Sequence, residues 1–145
     1  LAQVFSNIGA AISFHFSGNV IKKNKPINIL IFITKISGFI DLFSVFLSNA
    51  LSPILMSTNS LCYGVGQVSK NKLLQDEFSP KQRATMGSLN SLAGSIFYSI
   101  FAVILGILAD NFGPKNALII QYLLSFSVLI FYFSLKKYIK NATSK

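Results

Sequence analysis

Lys35 and Asp41 are two ionisable side chains inside a single apolar run, residues 27–47, and so the first candidates for chemistry. Charge is costly in a hydrocarbon solvent, and an ionisable residue there marks a function or a specific partner. Lys35 stands about 12 Å into the run at the helical rise, too deep for simple escape to the surface. Six residues separate it from Asp41. That places the two about 240° apart around a helix, so they are badly set to pair with each other. Two roles stand open. The favoured one is a structural partnership with other helices or with the interface. The other makes Asp41 a carboxylate that binds and releases a proton.

Other polar side chains form weaker patterns. Met56, Asn59 and Tyr63 fall on one helical face of a later run. His15 has no second His or Cys at ligand spacing, so no metal site is expected. Cys62 is the only cysteine and can form no intrachain disulfide. Gly64-Val-Gly66 lies within an apolar run, where close helix packing explains it better than a phosphate loop. No nucleophile–base pair or carboxylate dyad appears, so no enzyme activity and no cofactor are expected.

The elements that must position these residues are long apolar segments. Hydrophobic residues make up 52% of the 145 and charged ones 12%, about half the charged share of a soluble domain. The clearest element begins at Ser79-Pro80, with Gln82 three residues after Ser79, which reads as a capping box. Gly113-Pro114 is its stop signal. Between Arg83 and Asp110 there is no charge, a window longer than the roughly 20 residues that cross a bilayer core. Small residues at Gly87, Ser91, Gly94, Ala102 and Gly106 recur at helical spacing along it, a face for close helix packing or sliding.

Counted this way, the chain holds five apolar runs: 1–21, 27–47, 51–69, 84–109 and 116–135. Residues 70–83 form a charged connection whose first part reads as an amphipathic helical extension. The runs are too long for strands and do not alternate, so an all-α polytopic membrane protein with five transmembrane helices follows. If every run crosses, eleven of the thirteen basic residues gather on one side. Lys115 falls on the other, and Lys35 lies within a span. The positive-inside rule makes the rich side, including 70–83 and the C-terminal tail, cytoplasmic. A net charge of +9 arranged in this way suits topology signals rather than nucleic acid. Asn141-Ala-Thr143 matches a glycosylation acceptor but falls on the cytoplasmic side.

The string Leu74-Gln-Asp-Glu-Phe-Ser-Pro-Lys-Gln-Arg-Ala-Thr-Met-Gly-Ser-Leu-Asn-Ser-Leu-Ala-Gly94, followed by Gly106-Ile-Leu-Ala-Asp110-Asn-Phe-Gly113, resembles major facilitator superfamily transporters. More narrowly, it resembles the superfamily's bacterial drug-efflux-type permeases. The resemblance is clearest over about forty residues. With the five-run count it implies helices eight to twelve of a twelve-helix fold. Of the family's motif after the eighth helix, only Gly18 and the basic Lys22, Lys23 and Lys25 are matched, and Lys22 stands where the family has Asp.

The resemblance implies a proton-coupled efflux permease in the plasma membrane, working by alternating access on a small-molecule substrate. It implies Asn7, Asn59, Tyr63, Asn90 and Tyr98 as cavity contacts, and Arg83 and Asp110 as loop or gating residues. Interhelical hydrogen bonding is the plainer role for each polar residue of the cavity set. The chain opens at Leu1 without signal-peptide features, so it is expected to be the C-terminal piece of a longer protein, its partner being the missing N-terminal half. A decayed half-permease or a non-transporting membrane scaffold is the alternative.

Overall fold

The computed structural model describes residues 2–47 and 51–142. Among them the chain is helical almost throughout, with no strand. The segments are α1 (Ala2–Lys23), α2 (Pro26–Phe46), α3 (Leu51–Thr58), α4 (Ser60–Asp76), α5 (Pro80–Phe112) and α6 (Pro114–Ala142). Lys145 and Thr143 lie outside the described residues.

Local chemistry sets these boundaries. α2, α5 and α6 each begin with a proline, whose fixed φ suits the first helical position and whose missing N–H costs nothing there. At α5 the Gln82 Oε1 accepts from the Ser79 N–H at 3.3 Å and from the Ser79 hydroxyl at 2.8 Å. Gly113 ends α5 at φ +83°, ψ 153°, backbone that only glycine enters cheaply. Its N–H donates to Ala109 O at 2.9 Å, and Pro114 opens the next helix.

The third apolar run is one helical path with a break at Asn59. Asn59 keeps right-handed helical backbone, but its N–H bonds Met56 O at 3.2 Å, three residues back. The N–H of Cys62 bonds Asn59 O at 3.0 Å in the same tighter spacing. Ser57, Thr58 and Ser60 each turn a hydroxyl onto the carbonyl three residues earlier. Such competition for backbone acceptors weakens the regular ladder. The break was not foreseen. α4 then runs on to Asp76, so most of 70–83 is helix and only Glu77–Ser79 interrupts it.

Three helices are long and apolar enough to cross a membrane: Pro26–Phe46, Pro80–Phe112 and Pro114–Asn141. α1 and the α3–α4 path fall short of that composition because amides and hydroxyls interrupt them, and because the break divides the second. Several of the hydroxyls point inward, while Gln3, Asn7, Asn19 and Thr58 stay exposed. Among the described residues the buried polar ones are Ser13, Ser17, Ser44, Ser60 and Ser69, whereas Phe5, Phe16, Phe39 and Phe131 are exposed. A water-soluble bundle does the reverse. Small hydroxyl residues between helices and aromatics outside are what lipid as the outer solvent favours.

Side-chain pairs fix the relative directions. Gly9 meets Ser60 and Gly64 meets Ser13 and Phe14, so α1 and α4 are parallel. Asn59 meets Ser37 while Gly66 meets Ile33, so α2 and α4 are antiparallel. Phe46 meets Lys115, Gly38 meets Phe126 and Lys35 meets Phe133, so α2 and α6 are also antiparallel. Lys22 and Lys23 of α1, Lys70 and Lys72 of α4, Lys81 and Arg83 of α5 and Lys136 and Lys137 of α6 therefore share one end of the bundle. Lys115 stands at the other end.

Candidate functional site

Between α2, α4 and α6 lies an open cleft of about 350 Å³, mostly apolar in surface but carrying a stripe of polar side chains. Its α2 wall is Leu30, Ile33, Ser37 and Asp41, spaced to share one helical face. Its other wall is Asn59, Tyr63, Gln67 and Lys70, again one face, with Cys62 and Gly66 beside it. Tyr132 of α6 completes it.

The Asp41 carboxylate sits at one end. Asn59 Nδ2 donates to Asp41 Oδ1 at 2.5 Å and also to Ser37 O at 3.3 Å. Both amide hydrogens are thereby used, and the buried Asn59 Oδ1 is left without a partner. Asn59 sits at the break in the α3–α4 path, where the regular backbone ladder is interrupted. Asp41 O accepts from the Ser44 hydroxyl at 2.7 Å, which ties the next turn of α2 to the site. Farther along the wall, Gln67 Nε2 donates to the Tyr63 hydroxyl at 3.1 Å. Lys35 does not join them. Its ammonium lies 5.2 Å from the centre of the Phe133 ring, a cation–π partner on α6.

A second polar cleft, about 380 Å³, shares Tyr63, Gln67 and Lys70 and adds Phe14, Asn90, Ser91 and Gly94. Tyr63 and Asn90 thus meet in one cleft, and Tyr63, Asn59 and Asp41 in another. The remaining cavity candidates stand apart. Asn7 is exposed on α1 and accepts from Gln3 at 3.4 Å. Tyr98 is 76% exposed and faces a groove between α5 and α6.

Arg83 Nε donates to Gln75 O at 3.1 Å and to Phe78 O at 3.2 Å. It satisfies carbonyls freed where α4 ends, the usual service of a basic side chain at a helix C-terminus. Asp110 is exposed in the last turn of α5.

The small face of α5 makes no close packing contact, although Ser91 and Gly94 border the second cleft. A Cβ built on Gly87, Gly94 or Gly106 meets nothing within 4 Å, and Ser91 and Ala102 are exposed. Close approach occurs instead at Gly64, whose Cβ would lie 2.8 Å from Ser13 C and 2.9 Å from Phe14 Cα, and at Gly9 against Ser60. The hydroxyl of Ser13 accepts from the Val65 N–H at 3.1 Å in the same crossing. Gly9 and Ser13 were missed because spacing along one helix does not tell which face meets which neighbour.

Among the described residues no group of three or more His, Cys, Asp or Glu could hold a metal. No family profile, no curated protein and no solved structure matches this chain.

Proposed function

We propose that this chain is five membrane-crossing helices from the C-terminal half of a secondary active transporter of major facilitator type, moving a small solute by alternating access, with proton coupling and efflux as the direction. The observation that carries the reading is the cleft between α2, α4 and α6, whose polar stripe ends on the hydrogen-bonded pair Asp41 and Asn59. A membrane scaffold has no need of a carboxylate and an amide at such depth, and their burial costs free energy unless used. The antiparallel register supports the five crossings, because it brings the basic helix ends together without reference to hydropathy. Under this reading the basic end and the C-terminal tail face the cytoplasm of a plasma membrane.

α5 supports a missing partner. None of its residues is buried, although it is 33 residues long. Its small face is where a second bundle would rock in such a transporter.

The test starts upstream of Leu1. Seven further spans in frame support the transporter, and expression of that whole reading frame should change the susceptibility of cells across a panel of lipophilic compounds. A stop codon immediately upstream, with no change on any compound, contradicts it and leaves the scaffold or decayed half-permease.

A further inference from the structure

An open groove of about 520 Å³ lies where α1 and α2 meet α4. Phe32 on its wall is 64% exposed and Leu61 is 49% exposed, so its side faces outward. Along most of its length the lining is apolar, from Ile29, Phe32 and Ile33 of α2 and Leu61 and Val65 of α4. At the remaining end stand Asn24 and Asn28. The contact of Ile33 with Gly66 sets the register of the two helices. From that level α2 carries the groove five residues towards the basic end, to Asn28, and α4 carries it five residues the other way, to Leu61. Together that is about 15 Å at the helical rise. A hydrocarbon core is roughly 30 Å thick, so the groove has the length of one leaflet.

Its outer end carries charge. Lys22, Lys23 and Lys25 flank Asn24 in the short connection between α1 and α2. All three are exposed, and among the described residues none forms an ion pair. Asp76, at the same end, lines a separate cleft with Lys72 and Arg83. The Asn24 amide donates to Val20 O at 3.3 Å, whereas the exposed Asn28 amide has no partner among the described residues.

We propose that this groove holds an acyl chain of an anionic phospholipid from the leaflet at the basic surface, its phosphate seated on Lys22, Lys23, Lys25 and the Asn28 amide. The inference rests on the membrane-spanning arrangement proposed above, but not on transport. The charged end decides the occupant. An apolar helix laid in the groove would leave three ammonium groups unanswered, whereas a phospholipid brings chain and phosphate together at the spacing of one leaflet. Basic pockets between helix ends hold anionic head groups in this way. The chain leaves lipid for an equally apolar wall, so it gains packing contact only, and the head group carries the preference. A zwitterionic lipid fits the same groove but adds its own cation to three lysines.

The chain contains no tryptophan, so a single one serves as a reporter. Phe32→Trp reports from the groove. Leu135→Trp is the control, exposed on α6 beside Lys136 and Lys137 and at a similar depth by the Lys35–Phe133 contact. The full chain is reconstituted in phosphatidylcholine vesicles with rising fractions of phosphatidylglycerol brominated along its acyl chains, a contact quencher of indole fluorescence. Half-maximal quenching at Phe32→Trp should need at least about fivefold less anionic lipid than at Leu135→Trp, the worth of a single lysine at a membrane surface. Lys22→Gln, Lys23→Gln and Lys25→Gln together should erase that difference, and Lys136→Gln with Lys137→Gln should leave Phe32→Trp unchanged. Equal fractions at the two positions, or a difference that survives the loss of Lys22, Lys23 and Lys25, overturns the proposal. So does a Phe32→Trp that no brominated lipid quenches while Leu135→Trp is quenched, because protein then covers the groove. If brominated phosphatidylcholine and phosphatidylglycerol both fail to quench either position, the membrane-spanning arrangement itself fails.

Discussion

Replacing Gly64 with alanine tests the helix packing at its tightest point. A Cβ there would lie 2.8 Å from Ser13 C and 2.9 Å from Phe14 Cα, and closer still to Phe14 N. All three are backbone atoms of α1, so no rotamer change relieves the contact. The two helices must separate by something near 1 Å to restore ordinary packing distances. That strain resembles overpacking of a core, about 1–3 kcal/mol. The same movement stretches the Ser13–Val65 hydrogen bond, worth roughly 0.6 kcal/mol on average for interhelical bonds in membranes. Alanine's better helix propensity returns up to about 1 kcal/mol. The net expectation is a loss of about 1–3 kcal/mol, read by detergent-titrated unfolding in bicelles. Gly9→Ala should cost less, because the atom it meets most closely is the Ser60 hydroxyl, which can rotate. Gly94→Ala, with nothing within 4 Å, should cost nothing and gain up to about 1 kcal/mol from helix propensity. A Gly94 variant that costs more than the Gly64 variant would refute the assigned packing.

Gly113→Ala places a Cβ on backbone at φ +83°, a strain of about 1–3 kcal/mol with no clash to share it. It should loosen the α5–α6 connection and raise hydrogen exchange near 109–117. Arg83→Ala frees the carbonyls of Gln75 and Phe78, so exchange should rise over 73–78. Because Arg83 is exposed, global stability should move by less than about 1 kcal/mol. Under the proposed function, Asp41→Asn in the full-length protein should abolish proton-driven solute movement in vesicles while leaving the protein folded; unchanged rates and unchanged pH dependence would remove Asp41 from the coupling.

Boundaries set by backbone chemistry were legible in the sequence. Pro80 and Pro114 start helices and Gly113 stops one for reasons confined to neighbouring residues. The separation of Lys35 from Asp41 was legible too, since helical angle alone keeps them apart. Their actual partners, Phe133 and Asn59, were not, because they depend on which helices become neighbours. The stripe from Gly87 to Gly106 reads as a face for close packing or sliding, and within this chain the close crossing uses Gly9 and Gly64 instead. Composition marks a face as able to pack, and only the register of two helices decides whether it does. The break at Asn59 escaped notice because Ser, Thr and Asn within an apolar run resemble ordinary polar content until their hydroxyls are seen competing for carbonyls.

The central claim is that five helical paths alternate in direction through a bilayer, with their basic ends at one surface. Single cysteines at Lys72, Lys137 and Lys115, in a Cys62→Ser background, test it with an impermeant thiol reagent applied to sealed, oriented vesicles. The account predicts that positions 72 and 137 react from the same side and position 115 from the opposite one. Positions 72 and 137 reacting from opposite sides, or all three from one, would contradict it.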